Sequence, residues 1–166
     1  MAGISAGRAD TNMSVRLSTY NNEALATICI GYYAKLSTEI SHPKAMIILP
    51  FVFHEQTAKR LRGISNKRSL DEFILGNTDC LINFNKRFID FLPVAVNAIT
   101  MLNEMGIVTF TKNNVRFNNE TSLFNPHISI NLGRRATALL SSIEALVPML
   151  YYEEDWSAYL KLKIIV

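Results

Sequence analysis

Between Asn22 and Ile40 the apolar side chains fall at Leu25, Ile28 or Cys29, Tyr32, Leu36 and Ile40, steps of three and four that align on one stripe of a helix. Asn21 and Asn22 offer N-caps, Glu23 lies in the first turn, and Ser41, His42 and Pro43 mark the end. The next segment, Met46 to Phe53, is apolar throughout and broken by Pro50, so it fits a short buried strand or a buried helix entry equally well. His54 to Gly63 reads as a polar helix with Gly63 as its stop. Ser69 followed by Asp71 and Glu72 predicts a short helix through Leu75, because a hydroxyl cap satisfies a free amide and early carboxylates oppose the helix dipole.

From Thr78 to Met105 the pattern is helical again, with Leu81, Phe84, Phe88 and Phe91 or Leu92 on one stripe and Ile99, Leu102 and Met105 on another. Pro93 lies between them and predicts two helices meeting near Leu92, since proline removes an amide and crowds the preceding turn. Gly106 supplies a stop, and Ile107 to Thr111, a turn at Lys112 to Asn114 and Val115 to Phe117 then read as a β-hairpin. A helix that passes through a glycine into a hairpin has the helix-then-wing order of winged helix-turn-helix domains. After a polar connection from Asn118 to Asn131, Leu132 to Val147 predicts a long helix, with Arg134 and Arg135 at the end where its dipole disfavours cations. The expected fold is mainly α with a β-hairpin wing (α+β). We place a single winged-helix-like helical domain with a C-terminal helical extension over 20–166, behind a flexible leader over 1–19.

Composition narrows the function. With 166 residues, of which 49% are hydrophobic and 19% charged, the chain has the size and apolar content of one folded domain. Cys29 and Cys80 each sit in an apolar run without disulfide-framework spacing and read as buried thiols of a cytoplasmic protein. The longest apolar run, Ala45 to Phe53, is nine residues, against the roughly 18 to 20 of a membrane-crossing helix. The first twelve residues lack an apolar signal region, which also points to the cytoplasm and away from a membrane. A net charge of +3, from 17 basic and 14 acidic residues, is too small to announce nucleic-acid binding by itself. Local clustering is another matter: Lys59, Arg60, Arg62, Lys67 and Arg68 fall within ten residues, and with Lys112 and Arg116 of the hairpin they are candidates for touching a DNA backbone.

Catalytic constellations are missing. His42, His54 and His127 are isolated, and there is no metal-ligand spacing, phosphate loop, dinucleotide fingerprint or nucleophile elbow. No catalytic residue, metal or cofactor is therefore expected, and the chain reads as a non-enzyme. In a sequence-reading winged helix the helix before the wing should carry base-reading side chains, yet Pro93 to Met105 has no basic residue and contains Glu104, leaving Asn97 and Asn103. This favours protein contact over a DNA-binding transcriptional regulator, which stays as the alternative. Tyr151, Tyr152 and Trp156 are candidate partner contacts, as aromatic anchors are favoured in such surfaces; the competing reading has them dock the tail on its own core.

Three stretches carry a resemblance: YNNEALATICIGYYAKL from Tyr20, IILPFVFHEQTAKRLRG from Ile47 to Gly63, and FLPVAVNAITMLNEMGIVTF from Phe91 to Phe110. The second holds Leu49, Pro50, His54 and Thr57 in an apolar-Leu-Pro, apolar, His, x, x, Thr pattern. Over about residues 20 to 150 the chain resembles the middle component of three-component ABC-ATPase (ABC-3C) systems, a group similar to Lamassu-type anti-phage defence. It departs from the family's usual basic residue and proline after the histidine, having Glu55 and Gln56. The resemblance implies a small adaptor without catalytic residues that joins an SMC/Rad50-like ATPase to an effector subunit, often a nuclease, with DNA touched through the complex. It also implies that Leu49, Pro50, His54 and Thr57 define the fold.

Overall fold

A computed structural model describes residues 9–63, 69–121, 124 and 133–165, with side chains from Glu23 onward. Lys67, Arg68 and His127 lie outside the described residues. The chain is mostly helical: α1 (Ala9–Ser37), α2 (His42–Val52), α3 (Glu55–Arg62), α4 (Leu70–Gly76), a 3-10 turn (Thr78–Leu81), α5 (Phe84–Glu104), α6 (Gly133–Tyr151) and α7 (Asp155–Lys161). Three short strands accompany them: β1 (Glu39–Ser41), β2 (Val108–Phe110) and β3 (Asn114–Phe117).

Several boundaries differ from expectation. Helix α1 begins at Ala9, so the stretch expected as a flexible leader over 1–19 is helical from residue 9. No glycine or proline interrupts residues 9 to 30, and the two asparagines alone do not break a helix that already has its turns. Ser41 and Pro43 do not end α1. Instead Thr38 turns the chain at φ 66, β1 follows, and Ser41 caps α2 by accepting from the Lys44 amide at 3.3 Å. Proline in the first turn of α2 suits a helix start, where its missing amide costs nothing. The apolar segment is thereby helical from Met46 to Val52, with Phe53 at the C-cap.

The two helices expected to meet at Pro93 are one, α5, with Pro93 inside it and exposed. Pro93 costs α5 one backbone hydrogen bond, while packing of α5 against α1 and α2 holds the axis together. The helix ends as expected: Gly106 at φ 68 lets the Ile107 amide reach Leu102 O at 2.9 Å and its own amide reach Asn103 O at 3.0 Å.

The hairpin pairs Val108 with Phe117 and Phe110 with Val115, and β1 adds to its other side with Ile40 opposite Val115, giving the order β1-β3-β2. Alternation decides the faces: Ile40, Val115 and Phe117 are buried, while Arg116 points to solvent. A three-residue strand between two helices carries too little pattern to be read from sequence, and β1 was missed for that reason.

Helix α1 is the hub. It packs on α5 and α6, while α2 packs on α5 and α3 on α6. The shared core includes Ile30, Tyr33, Ile48, Leu49, Phe51, Phe73, Phe84, Leu102 and Ile143, all essentially inaccessible. Among the described residues no helix is long and apolar enough to cross a membrane.

Candidate functional site

The His54 motif builds a polar joint under this core. Leu49 and Pro50 are buried within α2, and His54 sits at the N-cap position of α3. Its Nδ1 lies 2.7 Å from Oγ1 of Thr57, a residue with no exposed surface. Thr57 Oγ1 also lies 3.3 Å from the Cys80 carbonyl, to which its hydroxyl can donate. Arg87 of α5 completes the joint. Its Nη2 donates to the Cys80 carbonyl at 2.5 Å, its Nη1 lies 3.5 Å from Thr57 Oγ1, and its guanidinium stands 5.3 Å from the Phe84 ring centre. Burial, then the Arg87 charge, hold the His54 pKa below its ordinary value, and burial lowers that of Arg87 too. The group ties α3, the 3-10 turn and α5 together. Arg87 escaped sequence reasoning because nothing in its own segment relates it to a histidine over thirty positions earlier.

His42 is engaged as well: its Nε2 lies 3.4 Å from the Thr111 carbonyl and its ring meets Phe110 edge-on at 5.8 Å. Burial pushes the Cys29 thiol up to about 12 and raises that of Cys80, so both stay protonated. Among the described residues no cluster of three His, Cys, Asp or Glu side chains could hold a metal ion.

The basic candidates separate into committed and uncommitted charges. Arg62 donates to Ser142 Oγ at 3.2 Å and Ala138 O at 3.4 Å, and Ser142 in turn reaches Ala58 O, so Arg62 staples α3 to α6. Arg60 stands 3.9 Å from Asp79, and Arg116 pairs with Glu39 across the sheet at 3.4 Å. Lys59 and Lys112 are exposed and have no acceptor among the described residues.

The aromatic candidates lie at the far end of the chain. Helix α7 docks through Ala158, Tyr159 and Leu162; Tyr159 meets Phe88 edge-on at 5.6 Å and its hydroxyl donates to Pro43 O at 3.0 Å. Lys161 fixes the same helix by reaching Asp71 at 2.7 Å and Glu153 at 2.8 Å, and Ser41 bonds Asp155 at 2.6 Å. Trp156 takes no part in this docking. It is 71% exposed, as is Leu160 one turn later, and Tyr152 is 89% exposed. Tyr151, half exposed, meets the Tyr152 ring edge-on at 4.8 Å. The result is a rigidly held apolar edge facing solvent.

The family model described as ABC-three component (ABC-3C) system Middle Component 3 matches the chain over residues 20–141. No curated protein and no solved structure matches the chain.

Proposed function

Because the chain belongs to the middle component 3 family of ABC-three component systems, we propose that it is a non-enzymatic adaptor of a bacterial anti-phage defence complex, joining an SMC/Rad50-like ABC ATPase to an effector such as a nuclease. The observation that carries this reading is the aromatic edge of Tyr152, Trp156 and Leu160. Large apolar side chains so exposed on a firmly docked helix and in the bend before it are unfavourable in an isolated chain and favourable in an interface. The engaged histidines fit a chain whose polar groups serve its own architecture.

The helix–strand–helix order, with a later helix leading into a hairpin and β1 beside β3, supports a winged-helix-like geometry turned to protein contact. The exposed residues of α5 before the wing include Val96 and Met101, followed by Met105 at its C-cap, which suit a protein surface better than base edges.

Co-expression with the other components of its system tests the proposal, with Trp156→Ala as the variant. Assembly should weaken by at least about ten-fold, as for an interface anchor, while stability changes by no more than about 0.5 kcal/mol, as for other surface positions. Failure of the wild-type chain to copurify with its ATPase would overturn the adaptor reading. Salt-steep binding of the isolated chain to one specific duplex would favour the regulator instead.

A further inference from the structure

A groove of about 420 Å³ lies between α3 and α6, floored by Val52, Phe53, Ala58 and Leu139. Arg62 and Arg135 stand at its rim with a single carboxylate, Glu55. Lys59 lies on the same stripe of α3, one turn from Glu55, and Arg134 adjoins Arg135. Two arginines therefore line the groove against one acid, with Lys59 and Arg134 nearby in the sequence of the same two helices.

These cations are poorly compensated within the chain. Arg134 and Arg135 occupy the first turn of α6, where free N–H groups already make the potential positive, and neither has a carboxylate partner among the described residues. Arg62 spends one nitrogen on Ala138 O and Ser142 Oγ; those bonds hold its guanidinium still and leave the other donors for a ligand. Residues 1–8, 64–68, 122–123, 125–132 and 166 contain no Asp or Glu.

We infer that this groove docks an acidic segment of a partner protein, which seats an apolar side chain on Val52, Phe53, Ala58 and Leu139 and lays carboxylates against Arg62 and Arg135. The inference rests on the adaptor reading and gives it a second contact face besides the aromatic edge. A phosphodiester backbone would satisfy the arginines but has no apolar side chain for the floor, so a peptide fits the whole site and DNA fits only its rim.

The test uses the complex assembled from the co-expressed components. With Glu55 replaced by a photo-crosslinking phenylalanine derivative, illumination should link this chain to a partner peptide holding Asp or Glu beside an apolar residue. Links to DNA, links to a peptide without acids, or no link would each overturn the inference. Arg135→Glu provides an independent measurement. Its melting temperature should stay level or rise, because a carboxylate suits a helix N-terminus, while affinity for the partner component falls at least ten-fold and loses part of its salt dependence. Unchanged affinity, or weakened DNA binding with assembly intact, overturns the groove assignment alone. If the wild-type chain captures no component, the adaptor reading falls with it.

Discussion

Gly31 stands in the middle of α1, a place where glycine costs about 1 kcal/mol relative to alanine, yet the structure leaves no room for a methyl group. A Cβ there would lie 2.7 Å from Phe124 Cζ and 2.9 Å from Leu102 Cδ2, closer than carbon atoms pack. Phe124 is buried between Tyr32 and Phe117, both with ring centres 6.4 Å away, and its carbonyl accepts from Lys35. Gly31→Ala therefore sets two terms against each other. Helix propensity favours alanine by about 1 kcal/mol, and overpacking opposes it by about 1–3 kcal/mol. The clash should win by about 1 kcal/mol, or roughly 2–4 °C in Tm for a chain of this size. In a Phe124→Ala background the ring is gone, Leu102 can turn into the vacated space, and propensity alone remains. There Gly31→Ala should stabilise, giving a coupling of about 2 kcal/mol in a double-mutant cycle read by urea unfolding. A stabilised Gly31→Ala single variant, or an equal cost in both backgrounds, would refute the steric reasoning.

Pro93→Ala should raise Tm, because an exposed proline inside α5 denies the preceding turn one hydrogen bond, a defect worth up to about 3 kcal/mol; a lower Tm would mean that the packing of α5 depends on its bend. His54 has a pKa below its ordinary 6.5, so the unfolded chain takes up the proton first and stability is lost as pH falls below that value and through the lower folded one. Thermal melts between pH 5 and 7.5 should show this slope and its flattening in His54→Gln, and an unchanged slope in that variant would assign the effect elsewhere. Arg62→Met should cost about 1 kcal/mol in chemical denaturation through loss of the staple to Ser142 and Ala138, and no loss would show the contact to be idle.

Long periodic elements were legible in the sequence. A helix over Leu25 to Leu36 and the Gly106 stop before a hairpin are both present, but Leu25, Ile28 and Tyr32 are only half-buried and Leu36 is exposed, and the buried face of α1 runs through Ala26, Cys29, Ile30, Tyr33 and Ser37. What escaped depends on distant partners. Ser41–His42–Pro43 is ambiguous locally, because a serine and a proline can close one helix or open the next, and the choice falls to β3, whose pairing draws Glu39–Ser41 into a strand. Pro93 misled for a related reason: a local rule predicts a break, and packing on α1 and α2 overrides it. At the candidate site, the clustering of Lys59, Arg60 and Arg62 was visible, but not that two of the three are already committed to Asp79 and α6.

That commitment bears on the choice between a regulator and an adaptor. Phosphate binding gains its free energy by releasing counterions from cations that are otherwise solvated, so a cation held by a carboxylate must first give up that partner. Arg60 and Arg116 are in this position, and Arg62 is held by hydrogen bonds instead. The described DNA candidates without a carboxylate partner thus reduce to Lys59 and Lys112, one on α3 and one in the hairpin turn, and Arg62, whose remaining donors are fixed beside α6. Three such cations would give a salt slope near −3 at about 0.9 per phosphate, still far short of the six to ten contacts of a self-sufficient DNA binder. The exposed end of α5 mixes Asn97, Thr100, Asn103 and Glu104 with Val96 and Met101, and carries no cation; its apolar members gain nothing from phosphate and something from an apolar partner. Charge that is visible in the sequence but spent in the fold, together with apolar surface that the fold leaves unspent, favours a chain held between proteins over one that reads DNA.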